Sequence, residues 1–180
     1  DYPRPTTPYL SSRRNDPHFL FFDDAYSCYV QTVPALSYAL TAKNQYNDMS
    51  LADAPSLIEV AKAAGFHTVW ISNQVRFSAW DTPTTIIASE ADEQHWRNSH
   101  IGTTADLDVY DDALAEELTR MKSSEKTLVI LHYMGSHMPY AYHHPKSYEK
   151  IHSDDPYRDQ YDDTILFHDY VMEKLYETLA

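Results

Sequence analysis

Asp53-Ala54-Pro55-Ser56-Leu57-Ile58-Glu59-Val60-Ala61-Lys62-Ala63-Ala64-Gly65-Phe66-His67-Thr68-Val69-Trp70-Ile71 reads as a helix, a turn and a strand in succession. Asp53 is suited to cap a helix, and Pro55 suits a first turn, where an N–H has no intrahelical acceptor. Leu57, Ile58, Ala61 and Ala64 fall on one face at helical spacing. Gly65 ends the helix, and His67 to Ile71 is β-branched and aromatic, as strands prefer.

The same alternation extends outward from this unit. Lys126-Thr127-Leu128-Val129-Ile130-Leu131 is a continuous apolar run, which predicts a central strand buried on both faces. Thr32-Val33-Pro34 opens an apolar helix through Leu40. Phe19-Leu20-Phe21-Phe22 predicts a short buried strand, and after Asp23-Asp24 a β-like pattern resumes from Ala25 to Val30. Thr84 to Ile87 fits either a short strand or a helix start. Asp111 to Lys122 is helical, and Ile165, Leu166, Tyr170 and Leu175 give residues 156–180 a helical rhythm. Residues 1–18, rich in Pro, Ser, Thr and Arg, read as loop.

Strands alternating with helices predict an α/β domain around a mostly parallel sheet. Ligands of such sheets bind beyond the carboxyl ends of the strands. That rule picks out Gln31-Thr32, Ser72-Asn73-Gln74 and Gly135-Ser136-His137, which are expected to face one crevice.

Composition narrows the function. The 180 residues carry a formal charge of −13, which repels nucleic-acid backbones and argues against adhesion to anionic lipid through a basic patch. The single cysteine, Cys28, excludes an internal disulfide and a multi-cysteine zinc site. No apolar run reaches the length of a membrane span and no signal peptide opens the chain, so any anchor is expected outside this segment. Both ends read as cuts.

Thr32 sits where a strand pattern turns into a helix, so helix N–H groups and the macrodipole would favour an alkoxide or a bound phosphate there. A plain N-cap is the competing reading. His137 follows a glycine turn, where it can bind a phosphoryl oxygen or protonate a leaving group, or be an ordinary loop histidine. Asn73 can bind substrate or start a turn. His132 reads as a packed core histidine. His143-His144, His152 and His168 fit no helical metal-ligand pair. The pairs Asp23-Asp24, Asp154-Asp155 and Asp162-Asp163 read as solvated surface rather than metal ligands.

Five segments, in order along the chain, resemble the phosphoethanolamine transferase family of the alkaline phosphatase superfamily. They are Tyr2-Pro3-Arg4-Pro5-Thr6-Thr7-Pro8, Ser27 to Leu36 around Gln31-Thr32-Val33-Pro34, Gly65 to Gln74 ending in Ser-Asn-Gln, Leu131-His132-Tyr133-Met134-Gly135-Ser136-His137, and Tyr161-Asp162-Asp163-Thr164-Ile165. The resemblance covers nearly the whole chain and is nearest to the branch that modifies the lipopolysaccharide core. It implies a three-layer αβα sandwich, alkaline phosphatase-like and incomplete at both ends. Residues 1–180 would then form part of a periplasmic catalytic domain on the inner membrane, without its membrane anchor or C-terminal metal-ligand region.

The resemblance also implies a reaction. Thr32 would be both the nucleophile and a zinc ligand, His137 and Asn73 would bind substrate, and the remaining zinc ligands would lie outside the segment. Phosphatidylethanolamine would donate phosphoethanolamine through a covalent phospho-threonine to a hydroxyl of lipopolysaccharide, in the core or lipid A. This segment alone is expected to bind zinc poorly and to be inactive. Two departures bear on acceptor contacts: Asp163 replaces the usual Asn, and His143-His144 stands where the family tends to place Arg-Tyr. The alternatives are a phosphate-ester hydrolase or phosphoglycerol transferase of the same superfamily, or a truncated, non-catalytic envelope-binding protein. A sulfatase nucleophile, Cys or Ser in a Cys/Ser-x-Pro-x-Arg motif, is absent.

Overall fold

A computed structural model describes residues 2–76, 82–98, 109–121 and 126–180. Its elements are α1 (Pro8–Ser12), α2 (Thr32–Ala39), α3 (Leu57–Ala63), β1 (His67–Val75), α4 (Thr82–Ser89), β2 (Glu93–Asn98), α5 (Asp112–Arg120), β3 (Thr127–His132) and α6 (Pro156–Leu179). They divide into two compact units. One comprises residues 24–101 and 123–132; the other comprises 1–23, 102–122 and 133–180.

The first unit holds a parallel sheet in the order β2-β1-β3, with Ile71 level with His95 on one side and Leu131 on the other. Parallel pairing with flanking helices is the predicted α/β architecture. Among the described residues, however, the middle strand is β1, and the apolar run at 127–132 lies beside it. Val69, Trp70 and Ile71 are buried between two neighbours, whereas β3 is half-buried along its length. An apolar run thus overstated how far β3 is enclosed. The polar strand β2, Glu-Gln-His-Trp-Arg-Asn, has no alternation to announce it and is recruited by pairing with β1. Thr84 to Ile87 lies within helix α4.

Trp70 packs with Ile58, Ile87, Ala88 and Ala91, and Leu40, Trp96 and Ile130 close over them. Helix α3 starts at Leu57, so its cap lies three residues later than Asp53. Its cap is Ser56, whose Oγ accepts the Glu59 N–H while Glu59 Oε2 accepts the Ser56 N–H, each at 3.0 Å. This reciprocal capping box satisfies two donors at once, which Asp53 cannot do from its position. Gly65 then leaves the helix at φ +79°, a conformation that favours glycine.

The predicted strands at 19–22 and 25–30 are absent. Leu20, Phe22, Tyr26 and Val30 are exposed, and no ladder partner orders them. Phe19 instead turns onto Tyr176, at 5.0 Å between ring centroids.

The second unit is organised by the 24-residue α6, against which α1 and α5 pack. Leu114, Ala115, Phe167 and Val171 are buried there, with Tyr148 and Tyr110 on the ring of Phe167. The face of α6 that carries Asp159, Asp162, Asp163 and Asp169 is buried. For Asp162-Asp163 this overturns the solvated-surface expectation. The reason is that every one of these carboxylates has donors. Asp169 takes the N–H groups of Tyr9 and Leu10 at 2.6 and 3.0 Å, serving the start of α1. Asp163 takes those of Lys150 and Ile151, and Arg4 Nη1 lies 2.7 Å from Asp159 and 2.6 Å from Asp162. Buried charge is tolerated when paired and hydrogen-bonded in this way. The pairs Asp23-Asp24 and Asp154-Asp155 are exposed as expected.

Candidate functional site

Thr32 is the first residue of α2, and Gln31 is the N-cap. The simple capping reading of Thr32 therefore does not hold: its exposed hydroxyl makes no hydrogen bond among the described residues. Ala35 N–H closes the first helical bond onto Gln31 O at 3.2 Å. The N–H groups of Thr32 and Val33 precede that bond, and Pro34 has none. An exposed hydroxyl thus sits beside two unspent backbone donors at the positive end of a helix, a setting that favours a phosphoryl group.

Asn73 lies inside β1, which runs on past Ile71 to Val75, and so it is not in a turn. It is fully buried. Asn98 Nδ2 donates to its carbonyl at 2.5 Å and to its Oδ1 at 2.8 Å, tying β1 to the end of β2. Beside it, Ser72 Oγ lies 3.1 Å from His132 Nδ1, whose ring also packs on Trp70. His132 is half-buried and belongs to the strand's packing. Thr32 and Asn73 belong to the sheet-bearing unit and His137 to the other.

His137 is exposed at the end of a strongly anchored turn. Asp111 Oδ1 accepts the Met134 N–H at 2.9 Å, and Oδ2 accepts that of Gly135 at 2.8 Å. Gly135 has φ +60°, which favours glycine. Thr164 Oγ1 of α6, which donates to Tyr161 O, lies 2.6 Å from Ser136 Oγ. His137 Nδ1 lies 2.6 Å from Met138 O. A carbonyl only accepts, so Nδ1 carries the hydrogen and Nε2 is left for a ligand.

From the sequence Asp111 marks only a helix start, and nothing local pairs Ser136 with Thr164. An Asp before a helix signals a cap, yet this carboxylate makes no cap bond and serves a turn 23 positions away. No local pattern marks that use.

His143 and His144 are buried beside this turn, while His152 is exposed. Burial first, then His137, hold the His143 imidazole down to about 4 against the pull of Asp111, with His144 adding a smaller push in the same direction as His137. His168 is lowered too, chiefly by burial. Among the described residues no three His, Cys, Asp or Glu side chains are grouped to hold a metal ion. Cys28 is free and exposed. No helix among the described residues is long and apolar enough to cross a membrane.

Comparison with known proteins identifies the family and the fold. The family described as Sulfatase matches residues 1–180. Phosphoethanolamine transferase EptC of Escherichia coli K12 is 29% identical over 190 residues, covering 97% of this chain and 32% of the relative. The crystal structure of the C-terminal periplasmic domain of that protein from Escherichia coli, in complex with Zn, superposes with a TM-score of 0.89 at 27% identity. It covers 99% of this chain and 54% of that one. A protein of the alkaline phosphatase superfamily from Vibrio parahaemolyticus shares the fold at 16% identity over 82% of this chain and 38% of its own, with a TM-score of 0.54. The chain spans about a third of the length of the curated relatives it matches.

Proposed function

Because the chain belongs to the sulfatase family along residues 1–180, we propose that the whole protein transfers phosphoethanolamine from phosphatidylethanolamine to a hydroxyl of lipopolysaccharide, core sugar or lipid A. Family membership does not require sulfate chemistry here, since the chain has Thr32, not Cys or Ser, at the nucleophile position of the resemblance. The support for phosphoethanolamine is that the curated relative at 29% identity is a transferase of that group. Residues 1–180 are proposed as part of a larger periplasmic catalytic domain, since the solved periplasmic relative is nearly twice as long. Its anchorage to the inner membrane belongs to the same proposal.

The observation that carries the reading is the exposed, uncommitted hydroxyl of Thr32 at the start of α2. In this proposal Thr32 Oγ1 attacks the donor phosphorus. The bond from phosphorus to the diacylglycerol oxygen breaks, its electron pair leaving with that oxygen, which takes up a proton. The acceptor hydroxyl then gives up its proton and displaces Thr32 in a second in-line step, and the Thr32 oxygen takes up a proton to restore its hydroxyl. Unspent N–H groups of Thr32 and Val33 are placed to stabilise charge on the phosphoryl oxygens, and alignment supplies much of the rate. His137 is proposed to hold a phosphoryl oxygen through Nε2. Asn73, bound by Asn98, serves first by fixing the end of β1, and a direct substrate contact would require Asn98 to release it. Zinc is proposed as the cofactor, with Thr32 as the one ligand from this chain.

The test is a mass map of the complete protein after incubation with phosphatidylethanolamine and zinc. An adduct of one phosphoethanolamine on the Thr32 peptide, lost in Thr32→Ala together with transfer, is expected. An adduct on a different residue, or full transfer by Thr32→Ala, overturns the assignment. Free phosphoethanolamine without any transfer would make the protein a hydrolase.

A further inference from the structure

His143 is the most conspicuous unexplained polar group among the described residues. It is only 3% exposed, and neither ring nitrogen has a hydrogen-bond partner. Buried polar atoms are nearly always satisfied, so such a side chain calls for a reason. A hydrophobic residue of similar shape would fill the place without that cost. What the imidazole touches is the ring of His137, edge to face at 6.0 Å between centroids. The ionisable groups that face it are His137 from the turn, His144 beside it and Asp111 from the start of α5. Asp111 accepts the N–H groups of Met134 and Gly135, and its charge pulls the other way but is outweighed by burial and by His137.

We propose that His143 is a positioning residue for His137: a neutral, buried imidazole braced against the exposed one, so that the single proton the pair accepts resides on His137. The inference rests on the reading of His137 as a phosphoryl ligand. Since Nδ1 of His137 already donates to Met138 O, its Nε2 can donate to a phosphoryl oxygen only when the ring carries both hydrogens. Two imidazolium rings this close repel, and the buried one also lacks solvation, so the charge falls on the exposed ring. An arginine at position 143, the type the resembled family tends to place there, keeps its charge at every working pH. It would then compete with the imidazolium that His137 has to form.

The experiment is a proton-NMR titration of the complete protein carrying 13C-labelled histidine, with His137→Asn and His143→Gln used to assign the two signals. His143 is expected to stay neutral at the pH where His137 takes up its proton. In His143→Arg the His137 midpoint should fall by about one unit or more, and in His143→Gln by less than about 0.3. Should His143→Arg fail to fold, the order of titration in the natural protein decides. Protonation of His143 at or above the pH of His137, or an unmoved His137 midpoint in folded His143→Arg, overturns the pairing. Phosphoethanolamine as a probe separates the two readings. If the pair behaves as described but the probe leaves the His137 midpoint in place, the pairing stands and the phosphoryl role of His137 falls.

Discussion

Asp111 Oδ2 accepts the backbone N–H of Gly135 at 2.8 Å, while its other oxygen holds Met134. One nearly buried carboxylate therefore fixes the turn from which His137 projects. Asp111→Ala leaves both N–H groups without their acceptor, and the expected cost is about 2–3 kcal/mol by urea denaturation. Asp111→Asn keeps one good acceptor and should lose about half as much. Transfer by the complete protein is expected to drop in both variants in the same order, because the turn that loosens is the one carrying Ser136 and His137. Equal stability of all three forms would show that the turn does not depend on Asp111.

Acid should act on this protein in two separate windows. The folded-state imidazole of His143 is held to about 4, below its ordinary 6.5. Between these values the unfolded chain binds a proton that the folded chain refuses, so stability present above pH 6.5 is lost as the pH falls toward 4. The size is as much as about 3 kcal/mol. His143→Phe should flatten that segment of the curve and hold its stability at pH 7.

The second window lies lower. Asp92 is depressed by the Lys62 ammonium, 2.8 Å away, and then by Thr68, whose N–H and hydroxyl donate to it. Asp159 is depressed by the Ser153 hydroxyl first and by Arg4 after it. For depressed carboxylates stability is full above the ordinary aspartate range and is lost as pH falls below it, under about 4. Urea midpoints measured from pH 7 to 3 would resolve the two windows. Asp92→Asn should soften the lower one and leave the upper one alone.

These assignments show which parts of the molecule the sequence made legible. The alternation around Gly65 marks a helix and a strand because it is local: capping, periodicity and β-branching act within a few residues. Thr32 at a helix start was readable for the same reason. Polar strand β2 was not, since Glu93 to Asn98 become a strand only by pairing with β1. The run at 19–30 misled in the opposite direction: apolar residues signalled a strand, but no neighbour completes a ladder. The acidic face of α6 was hidden because its donors, Arg4 and the backbone of residues 9, 10, 150 and 151, come from distant positions. Asp111 was hidden by the same kind of distance.

Ser56 offers a test of the local part. Its hydroxyl receives Glu59 N–H and also donates to the Glu90 carboxylate, so it ties the start of α3 to the residue that follows α4. Ser56→Ala should cost about 1 kcal/mol from the cap alone, and more if the Glu90 contact adds to it. Asp53→Ala should change stability by less than about 0.5 kcal/mol, since Asp53 is exposed and outside the helix. Thermal unfolding of the two variants side by side distinguishes the caps, and a larger loss in Asp53→Ala would reverse the assignment.

Asp163 stands where the resembled family usually has Asn, a change that bears on acceptor contacts when read from sequence. In the structure both of its hydrogen bonds, from the N–H groups of Lys150 and Ile151, fall on the single oxygen Oδ1 at 3.0 Å. An asparagine carries an equivalent oxygen, so the two residue types can serve the same backbone pair. Asp163→Asn is therefore expected to stay within about 1 kcal/mol of the natural protein, whereas Asp163→Ala, which strands both donors, should cost about 2 kcal/mol or more. The small loss in Asp163→Asn reflects the stronger bond a charged acceptor makes. Transfer activity should follow stability in both variants. A selective loss of transfer in a fully stable Asp163→Asn protein would instead assign the carboxylate to the acceptor.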